Sequence, residues 1–136
     1  FVKVFVDTNV WLAGRFGRGL CAELLDTLVE EGVEILLDER VLDEFRRIAR
    51  DKFRVDVDAL HTAEVFFREY AVLLAGAEVP STGIPDADDA WIVAAALAGD
   101  AEWFVTGDKA LLDLNQIAAL SMISPREAFT RLRGLL

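Results

Sequence analysis

The sequence predicts an α/β domain built on a mostly parallel central sheet of four to five strands, covered on both faces by helices. Two observations predict it. Short β-branched or apolar runs alternate with stretches of helical periodicity from one end of the chain to the other, and strands separated in this way pair in parallel. The chain has 136 residues, 54% of them hydrophobic and 28% charged. That is enough for one compact core and too little for two domains of ordinary size, so residues 1–136 are read as a single domain.

The elements follow in order. Val2 to Val6 is a β-branched and aromatic run that stops at Asp7, a buried first strand ending in a polar loop. A Gly-rich loop, Gly14 to Gly19, comes next. Leu20, Leu24, Leu25 and Leu28 recur at helical spacing up to the stop at Gly32. Glu34 to Leu37 is the second strand. Asp38 then caps a helix whose apolar stripe is Val41, Leu42, Phe45, Ile48 and Ala49. From Asp56 or Asp58 a long helical pattern runs to Gly76, and Ala77-Glu78-Val79 is a candidate edge strand. Pro85 and Asp86 open a helix that is apolar almost all round from Ala90 to Ala98, as expected of a helix buried between layers. Glu102 to Val105 is a strand, Lys109 to Leu114 a short helix, and Leu120 to Ile123 the last strand. Ser124-Pro125-Arg126-Glu127 is a capping box with Pro at the first helical position.

Charge and composition narrow the function. Fourteen Lys and Arg stand against 24 Asp and Glu, a net charge of −10, the wrong sign for broad neutralisation of nucleic-acid phosphates. An anionic substrate would need local arginines or metal ions held by the carboxylates. The longest apolar run, Trp91 to Gly99, is about half of what a membrane-spanning helix needs, so no membrane association is expected. One cysteine cannot form an internal disulfide, which suits a reducing cytoplasm. The chain opens on Phe1, which leaves open what precedes it.

In open α/β sheets the ligand sits beyond the carboxyl ends of the strands, and acids gather at those positions here. Asp7 follows the first strand, Asp108 follows a later one, and Asp86, Asp88 and Asp89 open the buried helix. Glu44 lies at the rim of its helix's apolar stripe, facing a cleft, whereas Asp43 points nearly opposite and faces water. Any one of these acids is adequately explained as a cap. Four acidic positions converging on one sheet edge, with Lys109 the one basic residue in their motifs, fit oxygen ligands for a hard divalent ion such as Mg²⁺ or Mn²⁺. Asp89 sits in the first turn of the buried helix, where the helix dipole favours a negative charge, and Asp86 is the better N-cap; which of Asp86, Asp88 and Asp89 touches metal stays open. Arg40 and Arg47 share the side of Glu44 and either neutralise it or hold phosphates.

Together, Val6-Asp7-Thr8-Asn9-Val10-Trp11, the acid in the helix after strand two, Asp88-Asp89-Ala90-Trp91-Ile92-Val93, Val105-Thr106-Gly107-Asp108-Lys109 and Ile123-Ser124-Pro125-Arg126-Glu127 resemble a PIN domain, of the branch that supplies toxins of bacterial toxin–antitoxin systems. The resemblance runs end to end in order and spacing. It implies a Rossmann-like three-layer sandwich and a metal-dependent ribonuclease. Position by position, it makes Asp7, Glu44, Asp89 and Asp108 the catalytic, metal-holding acids, with Thr8, Asn9 and Thr106 lining the site. The chain departs from the pattern at Ile84-Pro85-Asp86-Ala87-Asp88-Asp89, where related sequences often have Asp-Pro followed by acids. An antitoxin protein bound across the cleft and a homodimer are also implied.

The expected reaction is hydrolysis of RNA by metal-activated water, leaving 5′-phosphate and 3′-hydroxyl ends. Arg15 and Arg18 on the Gly-rich loop, with Arg40, Arg46, Arg47 and Lys109 bordering the cleft, are candidate phosphate contacts, although solvated arginines are the plainer reading. Trp11 either stacks on a base or belongs to the core; Trp91 and Trp103 read as packing. His61 has no evident partner, which argues against histidine-based hydrolysis, and Cys21 reads as a small core residue. The apolar face from Leu60 to Leu74 serves either self-association or the core. A haloacid-dehalogenase-like phosphatase would need a second Asp where this chain has Asn9. The remaining rival is a non-catalytic PIN-like module that binds a protein or RNA partner.

Overall fold

The computed structural model describes residues 2–74 and 83–135. Six strands form one sheet in the order β3-β2-β1-β4-β6-β5. They are β1 (Lys3–Val6), β2 (Glu34–Leu37), β3 (Ala71–Leu73), β4 (Trp103–Val105), β5 (Gln116–Ile117) and β6 (Leu120–Ile123). All neighbouring pairs are parallel except β5 with β6, which form a hairpin. The helices are α1 (Thr8–Phe16), α2 (Leu20–Glu30), α3 (Glu39–Asp51), α4 (Val57–Tyr70), α5 (Ala87–Ala98), α6 (Lys109–Leu112) and α7 (Pro125–Leu135).

The central strands are buried on both faces, which is why they read as continuous apolar runs rather than alternating ones. Val4, Phe5 and Val6 are fully enclosed, and Phe5 stacks on Phe104 of β4 with ring centroids 5.3 Å apart. Helix α1 packs on α2 and α3, and α2 on α7. An aromatic cluster joins α1, α3 and α4: Trp11 meets Phe67 edge-on at 4.6 Å, and Phe67 meets Phe45 at 4.8 Å. Each edge-to-face contact suits the ring quadrupoles and adds to simple burial. Trp11 is therefore a core residue and not a base-stacking platform.

From β1 the chain winds outward to β2 and β3, then returns through α5 to β4 on the other side of β1. With right-handed crossovers, α5 covers the face opposite α1–α4. The reversal leaves a crevice between the carboxyl ends of β1 and β4, the place where such sheets bind ligands.

Three expectations are corrected. The polar loop after β1 is instead helix α1, because Asp7 is its N-cap: the carboxylate accepts from the Thr8 N–H at 2.8 Å, and the Asp7 carbonyl accepts from Val10 and Trp11. Gly14, which reads as a helix breaker, is needed inside α1. A Cβ there would lie 2.2 Å from Leu25 Cδ1 and 3.1 Å from the Cys21 carbonyl, so glycine allows the α1 and α2 backbones to approach. Second, α4 stops at Tyr70 and not at Gly76, because Ala71 turns extended and leads directly into β3. Third, β3 and the two-residue β5 bring the sheet to six strands rather than four to five. The strand expected at 77–79 lies outside the described residues. The boundaries of β2 and the N-caps Asp38, Asp56 and Asp86 are as expected, and Ser124 Oγ accepts from the Glu127 N–H at 3.1 Å.

Candidate active site

At the β1/β4 crevice lies a cleft of about 280 Å³. Asp7 reaches it from the end of β1, Glu44 from α3, Asp89 from the first turn of α5 and Asp108 from the N-cap of α6. Four acids separated by up to 101 positions in the chain thus face one volume, because the parallel strands all end on the same edge.

Asp7 and Asp108 are fixed through one buried residue. Asp7 is 7% exposed; its Oδ1 accepts from the Thr8 N–H and its Oδ2 from the Thr106 hydroxyl at 2.7 Å. Thr106 Oγ1 in turn accepts from the Asp108 N–H at 3.0 Å. Asp108 Oδ1 caps α6 by accepting from the Ala110 and Leu111 N–H groups at 2.8 and 3.3 Å. Thr106, fully buried, therefore stands behind the cleft, locking the ends of β1 and β4 together rather than lining it. Thr8 and Asn9 do line it.

The acids feel one another. Burial pushes the Asp7 carboxyl above its ordinary range; the Thr106 and Thr8 hydrogen bonds oppose this, and the charges of Glu44 and Asp108 add to it. Asp89 is raised to about 6, first by burial and then by the charges of Asp86, Asp108, Asp7 and Glu44. Among the described residues no salt bridge joins a basic side chain to Asp7, Glu44, Asp89 or Asp108.

The other anticipated residues divide. Asp88 lines the cleft, whereas Asp86 does not; its Oδ1 caps α5 by accepting from the Asp89 N–H at 3.0 Å. Asp43 borders the cleft together with Glu44, although it is largely exposed and paired with Arg46 at 3.0 Å. Arg40 lines the cleft and places its guanidinium 4.2 Å from the centre of the half-buried Trp91 ring. Arg18, Arg47 and Lys109 are exposed and lie outside the cleft lining. Arg15 sits in the last turn of α1 over Phe66, also at 4.2 Å, not on a loop beside Asp7. Trp91, expected to serve packing, also carries the Arg40 guanidinium on its ring, and the sequence held a signal for it in its place two residues after Asp89. His61 is exposed and Cys21 half-buried.

The donor set is all oxygen, which fits a hard divalent ion and suits neither Zn²⁺ nor copper sites built on His and Cys. As the side chains stand, no group of three or more His, Cys, Asp or Glu among the described residues is arranged to hold an ion. The hydrogen bonds explain this. Both Asp7 oxygens and one Asp108 oxygen are engaged by protein donors. Each Asp7 oxygen accepts one hydrogen bond and retains a further lone pair, so the chemistry of the donors fits the ion.

The PIN domain family profile matches residues 3–110, and the chain belongs to the PIN domain family. PIN domains are generally nucleases, typically using divalent metal ions. The fold is similar to a chain in the crystal structure of VapBC2 from Rickettsia felis bound to a DNA fragment from their promoter, with a TM-score of 0.62 and 15% identity over 90% of this chain and 98% of that one. It is also similar to a PilT N-terminus domain protein from the hyperthermophilic archaeon Sulfolobus solfataricus (TM-score 0.61, 11% identity, 96% and 93% covered). A third similar structure is FitAB bound to a DNA fragment (TM-score 0.59, 17% identity, 90% and 94% covered). No curated protein matches the sequence. No helix among the described residues is long and apolar enough to cross a membrane.

Proposed function

We propose that this chain is a metal-dependent endoribonuclease, the toxin of a toxin–antitoxin pair, which hydrolyses RNA phosphodiester bonds. The observation that carries the reading is the convergence of Asp7, Glu44, Asp89 and Asp108 on one cleft with no salt-bridged cation among the described residues, and with Asp89 raised to about 6 by burial and its acidic neighbours. Acids that serve only as caps have no reason to face one another. The likeness to VapBC2 and FitAB chains supports an antitoxin as partner.

Asp7, Glu44, Asp89 and Asp108 would hold Mg²⁺ or Mn²⁺. The ion would polarise a non-bridging phosphate oxygen and lower the pKa of a bound water. Thr8 and Thr106 hold the Asp7 carboxylate in one orientation, and Thr106 orients the Asp108 backbone. Asp89 is mostly ionised at neutral pH, ready to accept a cation. Water is the nucleophile, so the products carry 5′-phosphate and 3′-hydroxyl ends. A second copy of the chain completes the assembly as a homodimer.

The test is cleavage of a mixed single-stranded RNA pool in Mn²⁺, Mg²⁺ and EDTA, with Asp7→Asn prepared identically and checked for folding by circular dichroism. We expect metal-dependent cleavage that falls by about 100-fold or more in the variant, the range seen when a group stabilising developing charge is removed. A 2′,3′-cyclic phosphate product would overturn the mechanism. Wild-type protein that neither cleaves RNA nor binds metal by calorimetry would instead be a non-catalytic PIN-like module.

A further inference from the structure

We propose that Arg40, seated on the indole of Trp91, is the residue that binds the substrate phosphate in the cleft, and that Trp91 is its positioning residue. The inference rests on the nuclease reading and deepens it. Among the described residues lining the cleft, Arg40 is the one cation facing six carboxylates, those of Asp7, Asp43, Glu44, Asp88, Asp89 and Asp108. A polyanion entering so acidic a volume needs a local positive charge. A guanidinium presents paired N–H donors that match phosphate oxygens.

The position of that guanidinium is the informative feature. Glu44 lies one helical turn beyond Arg40 on α3, at the i,i+4 spacing where opposite charges meet. Yet no salt bridge between them occurs among the described residues. The guanidinium lies instead 4.2 Å from the centre of the Trp91 ring on α5, where cation–π attraction holds it without consuming its N–H donors. Arg46, on the same helix, behaves oppositely and is engaged by Glu64, Asp43 and Glu39. The indole thus keeps Arg40 available to a ligand and leaves Glu44 unneutralised beside the cleft.

The test combines kinetics on single-stranded RNA with binding of the same RNA to protein carrying Asp7→Asn, followed by fluorescence anisotropy across a range of salt. Arg40→Gln should raise KM and Kd about tenfold, the low end for a lost charge-assisted hydrogen bond. Its kcat should stay within about threefold, and the salt slope should fall by about one. Trp91→Leu should act through Arg40: the same rise in KM, no further rise in the double variant, and partial recovery in Trp91→Phe. If wild type cleaves and binds RNA while Arg40→Gln leaves KM, Kd and salt slope unchanged, the phosphate role is wrong. If the Arg40→Gln and Trp91→Leu effects multiply instead, the positioning role is wrong. If wild type neither binds nor cleaves RNA, the nuclease reading fails and this inference with it.

Discussion

Helix α3 borders two acidic clusters, meeting at Asp43, that are built on opposite principles. On its outer flank, Glu39, Asp43 and Glu64 surround Arg46, with Arg46 Nη1 3.0 Å from Asp43 and 3.9 Å from Glu39 and its Nε donating to Glu64. On the cleft side, Glu44 joins Asp7, Asp89 and Asp108 with no salt-bridged cation among the described residues. The outer acids are neutralised, so their arrangement is explained within the protein. Burial first, and then the charges of their neighbours, hold the Asp7 and Asp89 carboxyls above their ordinary range, a cost in stability that a bound cation would offset. Acidity alone therefore does not mark a site; carboxylates gathered without a counter-ion do.

The comparison breaks most sharply behind the cleft. Thr106→Val keeps the volume of the side chain but removes the hydroxyl that donates to Asp7 Oδ2 and accepts from the Asp108 N–H. We expect metal affinity and RNA cleavage to fall by about 10- to 100-fold, the usual effect of removing a partner that orients a metal ligand. Calorimetric titration with Mn²⁺ measures the first and RNA cleavage the second. Unchanged affinity in folded protein would mean that Asp7 is fixed by its own chain alone.

Much of this was legible in the sequence, and the remainder fails for identifiable reasons. Asp7 and Asp108 are visible because strands in an α/β pattern end on one edge, and Glu44 because a 3.6-residue period assigns it to the rim of an apolar stripe. Asp86 is recognisable as a cap from its place three residues before Asp89. Helix α1 was hidden because Gly14 and Gly17 punctuate a short segment, and only the approach of Leu25 shows why Gly14 is tolerated. Strand β3 was hidden because Ala71-Val72-Leu73-Leu74 continues the apolar character of α4 without a breaker. The Thr106 bond to Asp7 spans 99 positions, and the Arg40–Trp91 contact joins α3 to α5. Neither leaves a local pattern, since both exist only once the sheet has assembled.

The two clusters should also answer pH differently. The carboxyl of Asp89 is raised from 3.8 to about 6 in the folded protein, so the folded state binds this proton more tightly than the unfolded chain does. Its contribution to stability is present in full below the unfolded value and is lost as pH rises through about 6; the raised Asp7 acts in the same direction. Metal-free protein should therefore melt at a higher temperature at pH 5 than at pH 7, measured by calorimetry. Asp89→Asn should flatten that dependence and raise the pH 7 melting temperature by a few degrees, about what 1 kcal/mol gives a domain of this size. Divalent metal should stabilise wild type at pH 7 and much less at pH 5, where protons compete for the same oxygens. A melting temperature that is highest at pH 7 without metal would show that the inner acids do not repel.

The smallest effect belongs to the outer flank. Glu64→Gln removes the charge that faces Arg46 Nε, but Asp43 and Glu39 remain beside the same guanidinium, and the Arg46 and Glu64 side chains are 31% and 21% exposed. Partial solvation and the two remaining partners limit the loss to about 0.5–1 kcal/mol, the upper part of the range for surface pairs. Urea denaturation can resolve a change of that size. RNA cleavage should stay at the wild-type level, because Glu64 lies outside the cleft lining. A loss of cleavage larger than the loss of stability would mean that the Arg46 cluster fixes α3, and Glu44 with it, relative to the β1 edge. The two clusters would then be one device, joined through the helix they share.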